Sequence, residues 1–308
     1  NEYSDICSPQ LRAIDGVNPM DEAFEKARNA GITCVCTGPG SANVLGGTFT
    51  ALKTVGHRVD SMIVKKEVAM KCAFGENPQN SYRSKSDSSK MTTAAILREA
   101  LMKAKRYQQK IEAAGNDATK YPEVNMKMEA LLPVVRKEIP LKAHVHQAED
   151  IFTAIRIAEE FDVRLTLDHV TQGHFVAEEL AKTGFYVAVG PTMNWPSKGE
   201  VRNKDWAAPG ILSREGCHVS IITDNPVVRQ ELLPICAGFA VKAGMDPFDA
   251  LRAITIWPAE HIGIEDRVGS LEVGKDADIV ITDGCPFEIS TTVEKVFING
   301  KMIDKSEM

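Results

Sequence analysis

From Pro140 onward the chain alternates between short apolar runs and amphipathic stretches, and this alternation constrains its fold more than any other feature. Apolar runs at 141–146, 163–169, 186–190 and 218–224 are followed by helical patterns at 150–161, 173–183, about 205–215 and 228–243. Strands separated by helices must run parallel, because each helix returns the chain to the starting side of the sheet. Successive right-handed crossovers close readily into a barrel. The expectation is an α/β fold of the (β/α) barrel type.

The first 140 residues are less regular. A helix is expected over 19–30, with Pro19 at its start, acids in the first turn and Gly31 as its stop. A buried strand follows at 32–37, and its Cys34 and Cys36 read as core residues before they read as metal ligands. Residues 38–47 are glycine-rich and read as a tight turn at the strand's end, since they lack the Lys-Ser/Thr ending of a phosphate loop. One or two short strands are expected over 62–74, then a polar, serine-rich loop over 81–90. Long helical patterns at 92–114 and 123–137 resemble an insertion that covers a pocket. After 228–243, short helices at 247–254 and 258–262 complete the helical part. Beyond Val268 the character changes to glycine-punctuated strands at 277–282 and 293–298. Two domains are expected: a barrel over 1–265 and a small β-structure over 266–308.

Composition narrows the class. In 308 residues the hydrophobic share is 44% and the net charge -6, so nucleic acid is a poor match as main partner. The apolar runs are strand-sized, so a membrane span is not expected, and no signal peptide is visible at the start. Seven cysteines without framework spacing suit a reducing cytoplasm. The chain opens on Asn1 with no cap, strand or helix signal, which reads as a start partway into a longer protein.

Four of the seven histidines lie between Leu141 and His174. His144, His169 and Asp224 fall at the C-terminal ends of three expected strands, which converge on one mouth in a parallel barrel. Imidazole and carboxylate ligands together suit zinc, iron or manganese. A divalent metal, zinc first, is therefore expected at that mouth.

Lys142-Ala-His144-Val-His146, Leu167-Asp168-His169-Val-Thr-Gln-Gly-His174 and Ile222-Thr223-Asp224-Asn-Pro226 resemble strand-end motifs of the amidohydrolase superfamily, in its imidazolonepropionase-like branch. The stretch from Gly269 to Val280 is similar to the segment with which such enzymes re-enter a small β-sandwich, and Thr37 to Asn43 and Gly75 to Pro78 also look like that branch. The resemblance implies a TIM-like (β/α)8 barrel, N-terminally incomplete here, with a β-sandwich appendage and one or two divalent ions. It implies His144 and His169 as metal ligands, Asp224 as general base in contact with the metal, and Glu76 as a further acidic ligand, with Lys71 as a carboxylated-lysine rival. Water activated by the metal would cut an amide, cyclic amide or amidine bond of a small-molecule substrate, or act as a dipeptidase does, with His169 assisting.

Substrate contacts are expected from His146, His174, Asn43, Arg83 and Lys198, with Tyr82, Trp195 and Arg202 nearby. Arg83 or Lys198 would pair with a substrate carboxylate. One departure stands against the pattern: the superfamily's His-x-His pair on its first barrel strand has no counterpart before Gly31. That gap motivates a second reading, a catalytically incomplete scaffold, and the Gly38 to Gly47 loop motivates a third, a nucleotide binder. A homo-oligomer is expected on general grounds.

Overall fold

The structure is a computed structural model that describes residues 1–83 and 88–303. Part of the serine-rich loop expected at 81–90 therefore lies outside the described residues. Seven strands form the main sheet in chain order: β1 (Cys34–Thr37), β2 (Leu45–Lys53), β3 (Ile63–Ala73), β4 (Leu141–Val145), β5 (Leu165–His169), β6 (Tyr186–Val189) and β7 (Val219–Ile221). From β3 to β7 every pairing is parallel, as the alternation requires. The first two pairings are antiparallel.

The sheet is a curled, incomplete barrel, not a closed (β/α)8 ring: β1 and β7 are its outer strands and are not paired with one another. The outer edge of β7 is met by a loop, with Ile221 N–H donating to Ala253 O.

Strand β2 corrects the sequence reading, which placed Gly46 and Gly47 in a turn. All nine of its residues are buried. The glycines mark an irregular pairing with β3 and a close backbone approach instead. Gly47 has φ +104°, and a Cβ there would sit 2.2 Å from Leu11 O, so a side chain would displace the N-terminal segment. Residues 62–74, expected as one or two short strands, form the single long β3. Gly75 to Pro78, expected as its end, instead open the helix Glu76–Tyr82.

The helices form where their end signals lie. Lys90–Ala114 begins on a capping box in which Ser89 and Thr92 exchange hydrogen bonds, and Asn125 caps Met126–Val135. These two helices pack with Ala148–Phe161 against the sheet in the largest core cluster. Helix Ala148–Phe161 buries Ile151, Ala154, Ile155 and Ala158, the i, i+3, i+4, i+7 stripe of a half-buried helix. The expected helices at 173–183 and 228–243 each divide into a short 3₁₀ turn and a helix, Ala177–Thr183 and Leu233–Lys242.

The tail is smaller than a sandwich. Strands β8 (Ile279–Thr282), β9 (Val293–Ile298) and β10 (Lys301–Met302) make one antiparallel three-stranded sheet. It is fastened to β2 by Lys53, whose buried ammonium lies 2.7 Å from Asp278 and 3.0 Å from Asp276.

Candidate metal centre

Alternation along a strand sends every second side chain to the same face. On β4 this places Lys142 and His144 inward, and His146 continues the same series just past the strand's end. His169 closes β5 with φ +74°, and the buried, β-branched Val170 follows with φ +46°. Left-handed backbone at such residues costs about 1–3 kcal/mol each and persists only where surrounding structure enforces it. The turn brings a third imidazole to the other two: ring centroids are 4.6 Å apart for His144 and His146, 4.3 Å for His144 and His169, and 4.8 Å for His146 and His169.

Each ring is held by its Nδ1. His169 Nδ1 lies 2.7 Å from Gly190 O, and since a carbonyl only accepts, that nitrogen carries the proton. His144 Nδ1 meets Ser41 Oγ at 2.9 Å and His146 Nδ1 meets Thr171 Oγ1 at 2.8 Å. With the same tautomer throughout, each Nε2 presents a lone pair and not a proton. Burial pushes His144 and His146 well below the usual imidazole range, and the neighbouring cationic groups add to it. His169 is also lowered by burial, against the pull of Asp224 and Asp168. Neutral imidazole is the form that binds a metal. Ligand atoms of these three residues lie within 4.8 Å of one another, and His146 Nε2 has no hydrogen-bond partner among the described residues. The donor set fits a divalent ion.

A carboxylate that the sequence reading passed over completes the cluster. Glu200, 1% exposed, comes from the loop after β6, and its Oε1 lies 3.6 Å from His146 Nε2 and 3.9 Å from His144 Nε2. Lys198 contacts the same oxygen and donates to Asn77 Oδ1 at 2.6 Å, while Asn77 Nδ2 donates to His144 Nε2 at 3.2 Å. Glu76 and Glu200 hold each other: Glu76 N–H donates to Glu200 Oε2 at 2.8 Å, and Glu200 N–H donates to Glu76 Oε1 at 2.9 Å. Gly75 allows this closeness, since a Cβ there would stand 2.2 Å from Glu200 Oε2.

Below the histidines the inner face stays polar. Lys142 Nζ donates to Asp168 Oδ1 at 2.6 Å and lies 3.1 Å from His261 Nε2, all three buried. A cleft of about 1600 Å³ opens beside them, with His169, Asp168, Lys142, Lys71 and Asp224 on its walls. His144 and His146 do not line it.

The other expected site residues are dispersed. Asp224, with φ +53°, is exposed on the cleft wall and outside the three-histidine group. Asn43 is buried and donates to Asp5 O and Tyr82 Oη, so in this structure it ties the N-terminal segment down and is not on the cleft wall. Arg83 is exposed, His174 packs against Phe175 with its ring tilted by 52°, and Trp195 is exposed. Lys198 does reach the centre, but as the partner of Glu200. Cys34 and Cys36 lie outside the metal-capable group and pack beside the core, with burial pushing their thiols up to about 12 and about 11. Lys142 was given no role from the sequence, although it stands two residues before His144 on the same face. Glu200 carried no such signal, because its loop has no periodicity.

The amidohydrolase family model matches residues 14–303, and the chain belongs to that family. A crystal structure of an amidohydrolase from Thermotoga maritima MSB8 superposes with a TM-score of 0.95 at 38% identity, covering 99% of this chain and 80% of that one. Amidohydrolase tasK of Hapsidospora irregularis is 27% identical over 97% of this chain, which spans 33% of that protein. An imidazolonepropionase of Thermoplasma volcanium is 40% identical over 30% of this chain and 25% of its own length. The chain thus spans a third or less of these two relatives. No helix among the described residues is long and apolar enough to cross a membrane.

Proposed function

We propose that this chain carries the metal-binding face of a hydrolase that cleaves a carbon–nitrogen bond, an amide, cyclic amide or amidine, in a small molecule. The observation that carries this reading is the three buried imidazoles, each lowered by burial toward its neutral form, whose ligand atoms lie within 4.8 Å of one another. His144, His146 and His169 would together hold a divalent ion, zinc by preference. When bound, the ion supplies a Lewis acid that makes a water molecule easier to deprotonate and a carbonyl easier to attack.

The chain's own groups do the rest. Asp224 takes the proton from the attacking water and passes it to the leaving nitrogen, which would otherwise depart as an unstable anion. Its place on the cleft wall with His169 supports that role. Ser41, Thr171 and Gly190 O keep the three rings oriented, and the Gly190 carbonyl fixes the tautomer of His169. The bulk of the machinery falls within 1–265, the barrel unit, with 266–308 as a separate small β-unit.

The test is hydrolysis of an amide and amidine panel by the zinc-loaded chain and its Asp224→Asn variant. Loss of a general base lowers kcat by about 10²–10⁴-fold while bound zinc stays unchanged. An Asp224→Asn variant as active as the parent sinks the assignment.

A further inference from the structure

We infer that Glu200, and not Glu76, is the carboxylate ligand of the metal centre, and that Lys198 holds the cation's place when no metal is bound. The inference rests on the metal-site reading above and names a ligand that reading lacks.

Distances separate ligand geometry from hydrogen bonding. An N–H···O hydrogen bond spans about 2.7–3.2 Å. Two atoms on a tetrahedral ion with bonds of about 2.0–2.2 Å stand roughly 3.3–3.6 Å apart. Glu200 Oε1 is 3.6 Å from His146 Nε2 and 3.9 Å from His144 Nε2, too far for hydrogen bonds and close to the spacing of ligands around one ion. His146 Nε2 is buried without a partner, and an unsatisfied buried acceptor is costly unless something binds there.

The two glutamates divide their roles through their shared hydrogen bonds. Glu76 Oε1 accepts the Glu200 N–H, and Glu200 Oε2 accepts the Glu76 N–H. The oxygen left facing the histidines is Glu200 Oε1. Opposite charge is already supplied there by Lys198, whose side chain is 23% exposed and so has a path to solvent, while the Glu200 side chain is wholly buried. The same lysine steadies Asn77, whose amide covers His144 Nε2. A divalent ion would take over the charge of Lys198 and the bond of Asn77 together. Three imidazoles and one carboxylate select a borderline ion such as zinc or cobalt over magnesium or calcium.

Zinc affinity of the full chain, measured by chelator competition, and the visible spectrum of its cobalt form test this without any substrate. Glu200→Gln is expected to weaken zinc binding at least 10-fold and to alter the cobalt spectrum; Glu76→Gln is expected to do far less. Lys198→Met is expected to tighten zinc binding and to enlarge the rise in melting temperature on adding zinc, because it leaves Glu200 uncompensated without metal. This variant also serves should Glu200→Gln not fold. If Glu200→Gln binds zinc as the parent does, or Lys198→Met binds it no better, the assignment is overturned while the hydrolase reading stands. A parent chain that binds no zinc overturns both.

Discussion

Two buried polar clusters lie one above the other inside the sheet, and they differ in which groups face each other. The lower one, Lys142, Asp168 and His261, sets a donor against acceptors: the ammonium has a carboxylate at 2.6 Å and an imidazole nitrogen at 3.1 Å, and His261 Nδ1 is left without a partner among the described residues. The upper one, His144, His146, His169 and Glu200, sets acceptors against one another: Glu200 Oε1 stands 3.6 Å from His146 Nε2 and 3.9 Å from His144 Nε2, and His146 Nε2 has no partner among the described residues. Folding tolerates a buried polar group when it is paired. A cluster whose rings are anchored on the outer side and whose acceptors converge on the inner side is arranged for a cation that arrives after folding. The lower cluster is therefore read as structure and the upper one as a receptor.

The sharpest way to break this contrast is to unpair the lower cluster. Lys142→Met leaves Asp168 charged and buried, and removal of one partner from a buried ion pair costs about 3–5 kcal/mol. His146→Ala in the upper cluster removes one nitrogen that had no partner and one neutral hydrogen bond, to Thr171 Oγ1, so without metal it is expected to cost less, about 1–2 kcal/mol, for that bond and lost packing. Urea unfolding of the two metal-free variants measures both. If His146→Ala is the more damaging, the upper cluster is a structural element and the contrast is wrong.

Metal should then reverse the order. A ligand that binds only the folded state at 100 times its Kd adds about 3 kcal/mol of stability. Zinc is expected to raise the melting temperature of the parent and of any folded Lys142→Met protein alike, and to have little effect on His146→Ala or His169→Ala. Equal stabilisation of all four would locate the ion elsewhere.

How much of this was legible before the structure depends on the physics behind each element. The parallel half was readable because a strand that reaches His144 or His169 and is followed by a helix obeys two periodicities at once, although the strand expected to end at Asp224 stops at Ile221. The β1 to β3 region was harder to read. In β2, Gly46 and Gly47 serve close packing against the N-terminal segment, yet they spell a turn. The sandwich expected in the tail shrank to three strands. Among site residues, His144 and His169 were found through strand ends, but Asn43 and Arg83 were chosen from loops, where side-chain direction follows no rule, and neither lines the cleft. Glu200 was missed for the same reason. Its loop does hold Lys198, the charge that was noticed, two residues away.

A third ion-paired site, at the junction with the small sheet, gives the contrast its finest gradation, because it is satisfied but only partly buried. Lys53 is buried, whereas the Asp276 side chain is 20% exposed. Partial burial works to raise the Asp276 carboxyl, but hydrogen bonds from Lys53 and Arg267 outweigh it, and the group ends below its ordinary range. A carboxyl depressed in the folded state contributes stability above its unfolded value, and that contribution disappears as pH falls through the folded value. Asp276→Asn is therefore expected to cost about 1 kcal/mol or less at pH 7, given the screening at a partly exposed pair. The gap from the parent should narrow once pH drops below about 4, where the unfolded carboxyl protonates. Denaturant midpoints of the two proteins between pH 7 and 3 measure it. A gap that stays constant with pH would mean that Asp276 acts through shape or hydrogen bonding alone, and that charge pairing does not fasten the small sheet.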